Sequence, residues 1–216
     1  LGKTKEGVQQ GNSYGAPYRY AETTWADDMV WGATELFLAT GNHKYFDDAA
    51  RYAELAGTEG WFDKASIGHY QYYPFMNLGH FRLHSVAGEA LRDKLAGYYR
   101  RQIEHCVERS HGNPYRAGVP FIWCSNNLMV ALATQCVLYE RMTGETRFRQ
   151  FAAKQHDWLL GRNPWGYSMF TEIPAGGRFP TKVHLWATKL LKRRIRGGMV
   201  DGPVANSVFR SLKGVT

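Results

Sequence analysis

The sequence predicts an all-α fold. Apolar residues recur at steps of three and four along several segments, and no segment alternates convincingly at period two. The 216 residues are enough for a sizeable core in one or two domains. No apolar run reaches the roughly 20 residues that cross a bilayer, so no membrane partner is predicted. A weak internal repeat further indicates that the helices pair as hairpins.

The first predicted helix lies within residues 24–41. Its apolar stripe consists of Trp25, Met29, Leu36 and Phe37. Thr24 is the predicted N-cap, and Gly41 follows the last turn. Asp27 and Asp28 fall in the first turn, where acidic side chains interact favourably with the helix dipole. Their presence is therefore explained without catalysis.

Four further helices are predicted, over residues 44–55, 87–106, 125–142 and 146–160. Cys124 and Cys136 are interpreted as core positions of the fourth of these five helices, because free cysteine behaves as a small buried apolar residue. The three cysteines show no CxxC spacing. No cofactor or metal is predicted, although loop carboxylates and carbonyls can bind structural calcium without leaving a readable motif.

The repeat joins the segments "ATGNHKYFDDAARYA" and "MTGETRFRQFAAKQH". Thr40 aligns with Thr143, Gly41 with Gly144, and Tyr45 with Phe148. In each segment a pair of alanines follows the aromatic residue, at 49–50 and 152–153. In both segments a helix ends at Thr-Gly, turns within a few residues and enters a second helix. The spacing of about 100 residues accommodates two hairpins of about 50 residues, which suits a toroid of paired helices or a solenoid.

Long aromatic segments separate these helices, at residues 7–22, 60–80 and 111–123 and after residue 161. Each carries Tyr or Trp beside amides and His, a mixture that can stack on a sugar ring and bind its hydroxyls. Long ordered loops on a helical scaffold often carry function. The alternative is that these aromatic residues pack against one another as covers.

The formal net charge of +8 is concentrated in "KLLKRRIRGG", residues 189–198. A polyanion site and a solvated surface segment both fit this basic run. Nucleic acid is not a favoured partner, because no glycine-rich phosphate cradle or known nucleic-acid module accompanies it.

The region 156–184 resembles the C-terminal signature of glycoside hydrolase family nine, the cellulase-type enzymes. The matching positions are Leu160, Gly161, Asn163, Pro164, Gly166, Ser168, Thr171 and His184. Three earlier and later stretches are also similar to that family: "WADDMVWGATELFLATG", "CSNNLMVALATQCVLYERMTG" and "GGMVDGPV". The resemblance spans nearly the whole chain in the family's order.

The resemblance implies part of an (α/α)6 barrel, a toroid of helical hairpins, with residues 1–216 as an incomplete catalytic domain lacking flanks on both sides. It implies hydrolysis of β-linked glycosidic bonds with inversion. The family's catalytic Asp lies before the region matching Leu1 and its catalytic Glu after the region matching Thr216, so no catalytic residue is assigned here. The predicted substrate surface consists of Tyr18, Tyr20, Tyr70, Tyr72, Trp123, Trp165, Tyr167 and His184.

The predicted partners are a β-linked oligosaccharide or polysaccharide and the remaining parts of the same catalytic domain. Trp186 replaces an arginine that many family members carry two positions after the histidine, so cellulose, another β-linked glucan, xyloglucan and a glucosamine oligomer all remain open. The resemblance also implies a secreted or periplasmic protein. The alternative is a non-catalytic carbohydrate-binding or assembly module derived from such a barrel.

Overall fold

The computed structural model of the chain describes residues 2–8, 24–59, 77–183 and 185–210. Its α-helices are α1 (Ala26–Thr40), α2 (His43–Glu59), α3 (Leu78–His84), α4 (Glu89–His111), α5 (Ser125–Thr143), α6 (Arg149–Leu159), α7 (Leu185–Leu191) and α8 (Asn206–Arg210). A short 3-10 helix, Gly2–Thr4, precedes them. Within the described residues the only β-type pairing is an isolated antiparallel bridge between Phe170 and Met199. The predicted all-α fold is confirmed.

The predicted helices correspond to α1, α2, α4, α5 and α6, with differences at their ends. Trp25, at φ −156°, occupies the N-cap of α1 and no side chain caps the helix there, so the prediction of Thr24 as the cap is wrong. Cys136 is buried in α5 as predicted, whereas Cys124 is only half-buried at the N-cap, where its φ is 60°. The sequence patterns do not predict α3, α7 or α8, since none of these is longer than seven residues.

The two repeated corners have the same local structure. In each, the threonine hydroxyl donates to the carbonyl four residues earlier, at 2.7 Å for Thr40 and 2.9 Å for Thr143. The same oxygen accepts the backbone N–H two residues later, at 3.3 Å and 3.0 Å. Gly41 and Gly144 then take left-handed conformations, φ 68° and 76°, which end α1 and α5. The predicted hairpin repeat is therefore present in the fold.

An edge-to-face aromatic pair closes each corner. Phe37 and Phe46 have ring centroids 5.3 Å apart, and Tyr139 and Phe148 have theirs 5.2 Å apart. The equivalent of Phe148 is thus Phe46 and not the aligned Tyr45. One extra residue separates the ring from the glycine at the first corner.

The first helices of the first two hairpins, α1 and α3, run in the same direction. Gly79, in the first turn of α3, packs against Val30 of α1. Further along both helices, Arg82 forms a 2.7 Å ion pair with Glu35. These two contacts make α1 and α3 parallel.

The second helices of the same two hairpins, α2 and α4, repeat this arrangement. Lys94 of α4 pairs with Glu54 of α2 at 2.7 Å, and one turn later the Tyr98 ring packs on Gly57. Helices α2 and α4 are therefore parallel to each other. Because a short turn reverses the chain after α1, α3 and α5, these turns lie at one end of the hairpins. The longer connections, which begin after α2, α4 and α6, leave from the opposite end, called the loop end below.

A buried polar network joins α3, α4 and α5. The Tyr99 hydroxyl lies 2.8 Å from the Asn77 carbonyl oxygen and 2.9 Å from Asn77 Oδ1. Asn77 Nδ2 donates to Gln135 Oε1. All three side chains are fully or almost fully buried. Such a network specifies how the hairpins pack, because each buried polar group loses its partner if they shift.

Candidate functional site

Asn163 organises the turn that follows α6. Its Nδ2 donates to the carbonyls of Trp158 at 2.8 Å and Tyr167 at 2.7 Å. Its Oδ1 accepts the backbone N–H of Trp165 at 3.1 Å and of Tyr167 at 3.3 Å. A side-chain amide offers two donor hydrogens and one acceptor oxygen, and this buried asparagine uses both sides of that capacity. The turn therefore depends on this one side chain.

Trp165 lies at the surface of this turn. Its ring meets the buried Trp158 ring edge-on, with centroids 6.2 Å apart and an interplanar angle of 89°. The Trp158 ring in turn packs against the Phe121 ring, with centroids 5.8 Å apart. Trp165 is 50% exposed, so part of its ring is accessible to a ligand while the rest is anchored. Its predicted contact with substrate stays a prediction.

Tyr167 is half-buried and holds the segment beyond the turn. Its hydroxyl donates to the Phe179 carbonyl at 2.6 Å, and the Arg178 guanidinium lies over its ring at 5.6 Å. The backbone N–H of Ser168 donates to the Arg178 carbonyl at 2.8 Å. Tyr167 thus has a structural role, and its predicted contact with sugar stays a prediction.

Trp123 lies in the connection between α4 and α5 and is 38% exposed. Its predicted role in binding stays a prediction. The other predicted substrate-binding residues lie outside the residues that the structure describes; they are Tyr18, Tyr20, Tyr70, Tyr72 and His184.

The N-terminus of α5 holds the loop 197–204. The Ser125 hydroxyl donates to the Pro203 carbonyl at 2.7 Å. Asn126 Nδ2 donates to the Val200 carbonyl at 2.7 Å, and the Asn126 backbone N–H donates to the Asp201 carbonyl at 3.0 Å. Ser125 and Asn126 are fully buried. Two motifs that are far apart in the sequence therefore form one unit.

The same loop pairs with the segment that follows the Asn163 turn. The Thr171 N–H donates to the Gly198 carbonyl at 2.9 Å, and the Gly197 N–H donates to the Thr171 carbonyl at 2.8 Å. These bonds flank the bridge between Phe170 and Met199. The start of α5, the turn at 161–171 and the loop 197–204 are thereby joined at the loop end.

Gln155 is a positioning residue that the sequence analysis missed. It is fully buried on α6, its Oε1 accepts the Gly118 N–H at 2.9 Å, and its Nε2 donates to the Arg116 carbonyl at 2.8 Å. These bonds fix the connection that carries Trp123. A glutamine on the apolar face of a helix was the available signal, because a buried amide needs partners.

Eight of the described carboxylates form ion pairs with Lys or Arg. They are Glu6, Glu35, Asp48, Glu54, Glu104, Glu140, Asp157 and Glu172. Hydrogen bonds from Arg82 and Arg149 lower the pKa of Glu35 and Glu140, respectively. Asp27 is buried in α1 and its neighbour Asp28 is exposed, so these adjacent carboxylates face different surroundings.

No group of three or more His, Cys, Asp or Glu side chains among the described residues is placed to hold a metal ion. None of the helices in that part of the chain is long and apolar enough to span a membrane.

The sequence profile of glycosyl hydrolase family 9 matches residues 2–212. The chain belongs to this family. Among curated relatives, it is 25% identical over 190 residues to the xyloglucan-specific endo-β-1,4-glucanase BoGH9A of Bacteroides ovatus, covering 85% of this chain and 32% of that protein. It is 26% identical over 199 residues to endoglucanase 18 of Oryza sativa subsp. japonica, covering 76% and 36%. This family 9 chain thus spans about a third of the length of these relatives.

Solved family 9 structures share the fold. A single mutant of a thermostable endoglucanase from Alicyclobacillus acidocaldarius matches all of this chain and 41% of its own, with a TM-score of 0.72 and 16% identity. The GH family 9 endoglucanase J30 matches 90% of this chain and 35% of its own, with a TM-score of 0.70 and 20% identity. The α1–α6 hairpins are therefore part of an (α/α)6 barrel, as predicted.

Proposed function

We propose that this family 9 chain is part of a catalytic domain that hydrolyses β-linked glucan. One observation carries the proposal: the start of α5, the turn at 161–171 and the loop 197–204 are joined at the loop end. Exposed Trp165 lies on that assembly. A rigid unit with an accessible aromatic ring, on a glycosyl hydrolase scaffold, is suited to form one wall of a sugar-binding cleft.

The chemistry requires two carboxyl groups. In an inverting glycosidase one protonates the leaving oxygen and the other activates a water molecule, and the two carboxyl groups lie roughly 6.5–9.5 Å apart to leave room for that water. The acid needs a raised pKa. Arginine partners lower the pKa of Glu35 and Glu140, whereas partial desolvation raises that of Asp28, which is why Asp28 is tested below. We place the catalytic acid and base outside these 216 residues, in agreement with the family resemblance.

The exposure of two apolar side chains supports the proposal that other parts of the same catalytic domain pack against this chain. Leu36 on α1 and Val137 on α5 are 47% and 46% exposed. Single exposed apolar residues are common, but in a chain that spans about a third of its relatives' length they are candidates for a face that adjoining helices cover. We propose that further helices of the same catalytic domain cover it.

The names of the relatives suggest the substrate class. BoGH9A is described as specific for xyloglucan, and the rice relative as an endoglucanase. We propose a β-1,4-linked glucan backbone, cut internally, and action outside the cytoplasm, where such polysaccharides are found.

Hydrolysis by the full-length protein, meaning the complete protein that contains this chain, tests the proposal. Reducing ends are measured with xyloglucan, hydroxyethyl cellulose and xylan, with a heat-inactivated sample as the control for contaminating enzyme. New reducing ends from at least one glucan support the proposal. A folded protein that releases none from any of the three contradicts it.

A second test addresses the position of the catalytic carboxylates. Removing a general acid or base costs about 10²–10⁴-fold in rate. Asp28→Asn and Asp201→Asn, which change two exposed carboxylates, are expected to keep kcat within about threefold. A loss of 100-fold or more in either variant, with its fold intact, would place a catalytic group inside this chain.

The second candidate function is a non-catalytic carbohydrate-binding module. The exposed rings of Trp123 and Trp165 favour it, since binding requires no carboxylate pair. Calorimetry with a cello-oligosaccharide separates the two candidates. Heat of binding without any release of reducing ends would support the module.

A further inference from the structure

Most of the net positive charge of the chain lies in one segment. Residues 172–198 contain seven Lys or Arg and one Glu, a net charge of +6 within the +8 of the whole chain. The other 189 residues are therefore nearly neutral. Elsewhere on the described surface several cations are paired with carboxylates, as in Lys3–Asp48, Arg82–Glu35 and Lys94–Glu54.

Four of the seven cations of this segment line a shallow, open cleft. Its volume is about 300 Å³, and its lining consists of Thr181, Lys182, Thr188, Lys192, Arg193 and Arg194. Lys192, immediately after α7, has φ 50°, a left-handed conformation that is rare for residues with a side chain. Lys182 and the cations at 192–194, which are about ten residues apart in the sequence, line the same cleft.

The cleft carries an excess of positive charge. Arg194 lies 3.7 Å from Glu172, and in the described residues this is the one carboxylate recorded within ion-pair distance of the four cations. Four exposed cations close together create a positive surface potential that attracts anions and weakens with added salt. Guanidinium groups are suited to binding a carboxylate or sulfate through two oxygens.

The cleft is attached to the assembly that carries Trp165. The Thr171 hydroxyl donates to the Ile195 carbonyl, and the Gly198 N–H donates to Thr171 Oγ1 at 3.1 Å. The basic segment is thus fixed at the loop end. The basic segment and the turn that carries Trp165 are therefore parts of one hydrogen-bonded unit.

We propose that this basic cleft binds the carboxylate of a uronic-acid side group on a polysaccharide chain. The choice of a glycan rests on the proposed function. A nucleic acid is less suited, because the described lining residues include no aromatic ring on which a base can stack. The cleft adds recognition of an acidic substituent to the binding of the neutral backbone.

The test compares two ligands that differ only in charge. Glucuronic-acid-substituted xylo-oligosaccharides and their carboxyl-reduced neutral derivatives are titrated into the full-length protein by calorimetry. The cleft variant is Lys182→Gln/Lys192→Gln/Arg193→Gln. The control variant is Lys44→Gln/Arg100→Gln/Arg141→Gln, which removes the same charge from exposed positions elsewhere.

We expect the cleft variant to bind the acidic oligosaccharide about tenfold more weakly than the wild type, since it loses three exposed charge interactions. The control variant is expected to change affinity by less than about twofold. The neutral ligand is expected to bind the wild type more weakly than the acidic one and to respond to neither variant.

Three outcomes would overturn the proposal. The first is equal loss in both triple variants, which indicates a long-range charge effect. The second is equal binding of the acidic and neutral ligands by the wild type. The third is tighter cleft-dependent binding of a single-stranded DNA 12-mer, which indicates a nucleic-acid site. Hydrolysis of neutral hydroxyethyl cellulose, measured in parallel, reports on the proposed function separately, because the cleft variant is expected to retain it.

Discussion

Asn126 lies directly against Gly202. A Cβ atom added at Gly202 would lie 2.6 Å from Asn126 Oδ1 and 2.6 Å from the Ser125 hydroxyl. Gly202 also has φ 98°, outside the range that residues with a side chain readily adopt. The loop 197–204 can therefore reach the start of α5 only because this position has no side chain.

Gly202→Ala is expected to destabilise the protein by about 3 kcal/mol, the sum of backbone strain and the collision with Asn126. The matched control is Gly176→Ala, where φ is 73° but no atom lies within 4 Å of the added Cβ. Strain alone is expected to cost the control about 1–2 kcal/mol. Chemical denaturation measures both values, and equal costs would contradict the close contact.

Asn163→Ala is expected to lower the free energy of unfolding by about 2–4 kcal/mol, because four backbone groups lose their partner. Asn113 is the control. It makes only two such bonds, both with Ala117, at 3.0 Å and 3.1 Å, and it is less buried. Asn113→Ala is expected to cost about half as much. A smaller loss for Asn163→Ala than for Asn113→Ala would show that the turn does not depend on Asn163.

Trp165→Ala and Trp123→Ala are expected to weaken binding of a cello-oligosaccharide about tenfold, because each removes an exposed aromatic surface. Tyr115→Ala is the control, since this ring is similarly exposed, at 41%, but is not predicted to touch sugar. Calorimetry on the full-length protein gives the three dissociation constants. Equal loss of affinity in all three variants would contradict the prediction, because Trp165 and Trp123 would then matter no more for binding than an exposed ring elsewhere on the surface.

His80 makes stability dependent on pH. Its ring lies fully buried, with Nε2 2.9 Å from the Ala53 carbonyl oxygen, and burial lowers its pKa from 6.5 to about 4. The unfolded chain therefore binds a proton that the folded protein does not between these two values, so stability falls as the pH drops from 6.5 to 4. The full loss amounts to about 3 kcal/mol.

His80→Gln keeps a donor for the Ala53 carbonyl but does not titrate, so it is expected to remove this part of the acid destabilisation. His105→Gln, at an exposed position, is the control and is expected to retain it. Urea denaturation at pH 7, 5.5 and 4.5 makes the comparison. An unchanged pH dependence in His80→Gln would assign the effect to other groups.

The sequence predicts the hairpins better than it predicts the short helices. Thr-Gly corners combine a local hydrogen bond with a left-handed glycine, and both features are visible in the residues at 40–41 and 143–144. Helix α3 is only seven residues long, too short for a periodic pattern. Its place in the fold instead depends on Gly79 and His80, whose contacts with Val30 and Ala53 are tertiary.

The motifs of the candidate site can be recognised in the sequence, but their assembly cannot. Ser125 and Asn126 bind backbone carbonyls of residues 200–203, and backbone acceptors leave no mark on the sequence of the loop that supplies them. Only Gly202 records the contact, through its missing side chain. The basic cleft is similar, because the run of cations at 192–194 does not show that Lys182 lines the same cleft.

The stereochemistry of the released sugar tests the account most directly. Proton NMR of a cello-oligosaccharide, recorded in the first minutes after adding the full-length protein, identifies the anomer formed before mutarotation. Inverting hydrolysis of a β-linkage predicts the α-anomer as the first product. Initial release of the β-anomer would contradict the inverting mechanism, and the absence of any product from a folded protein would contradict the assignment of this chain to a glucan-hydrolysing domain.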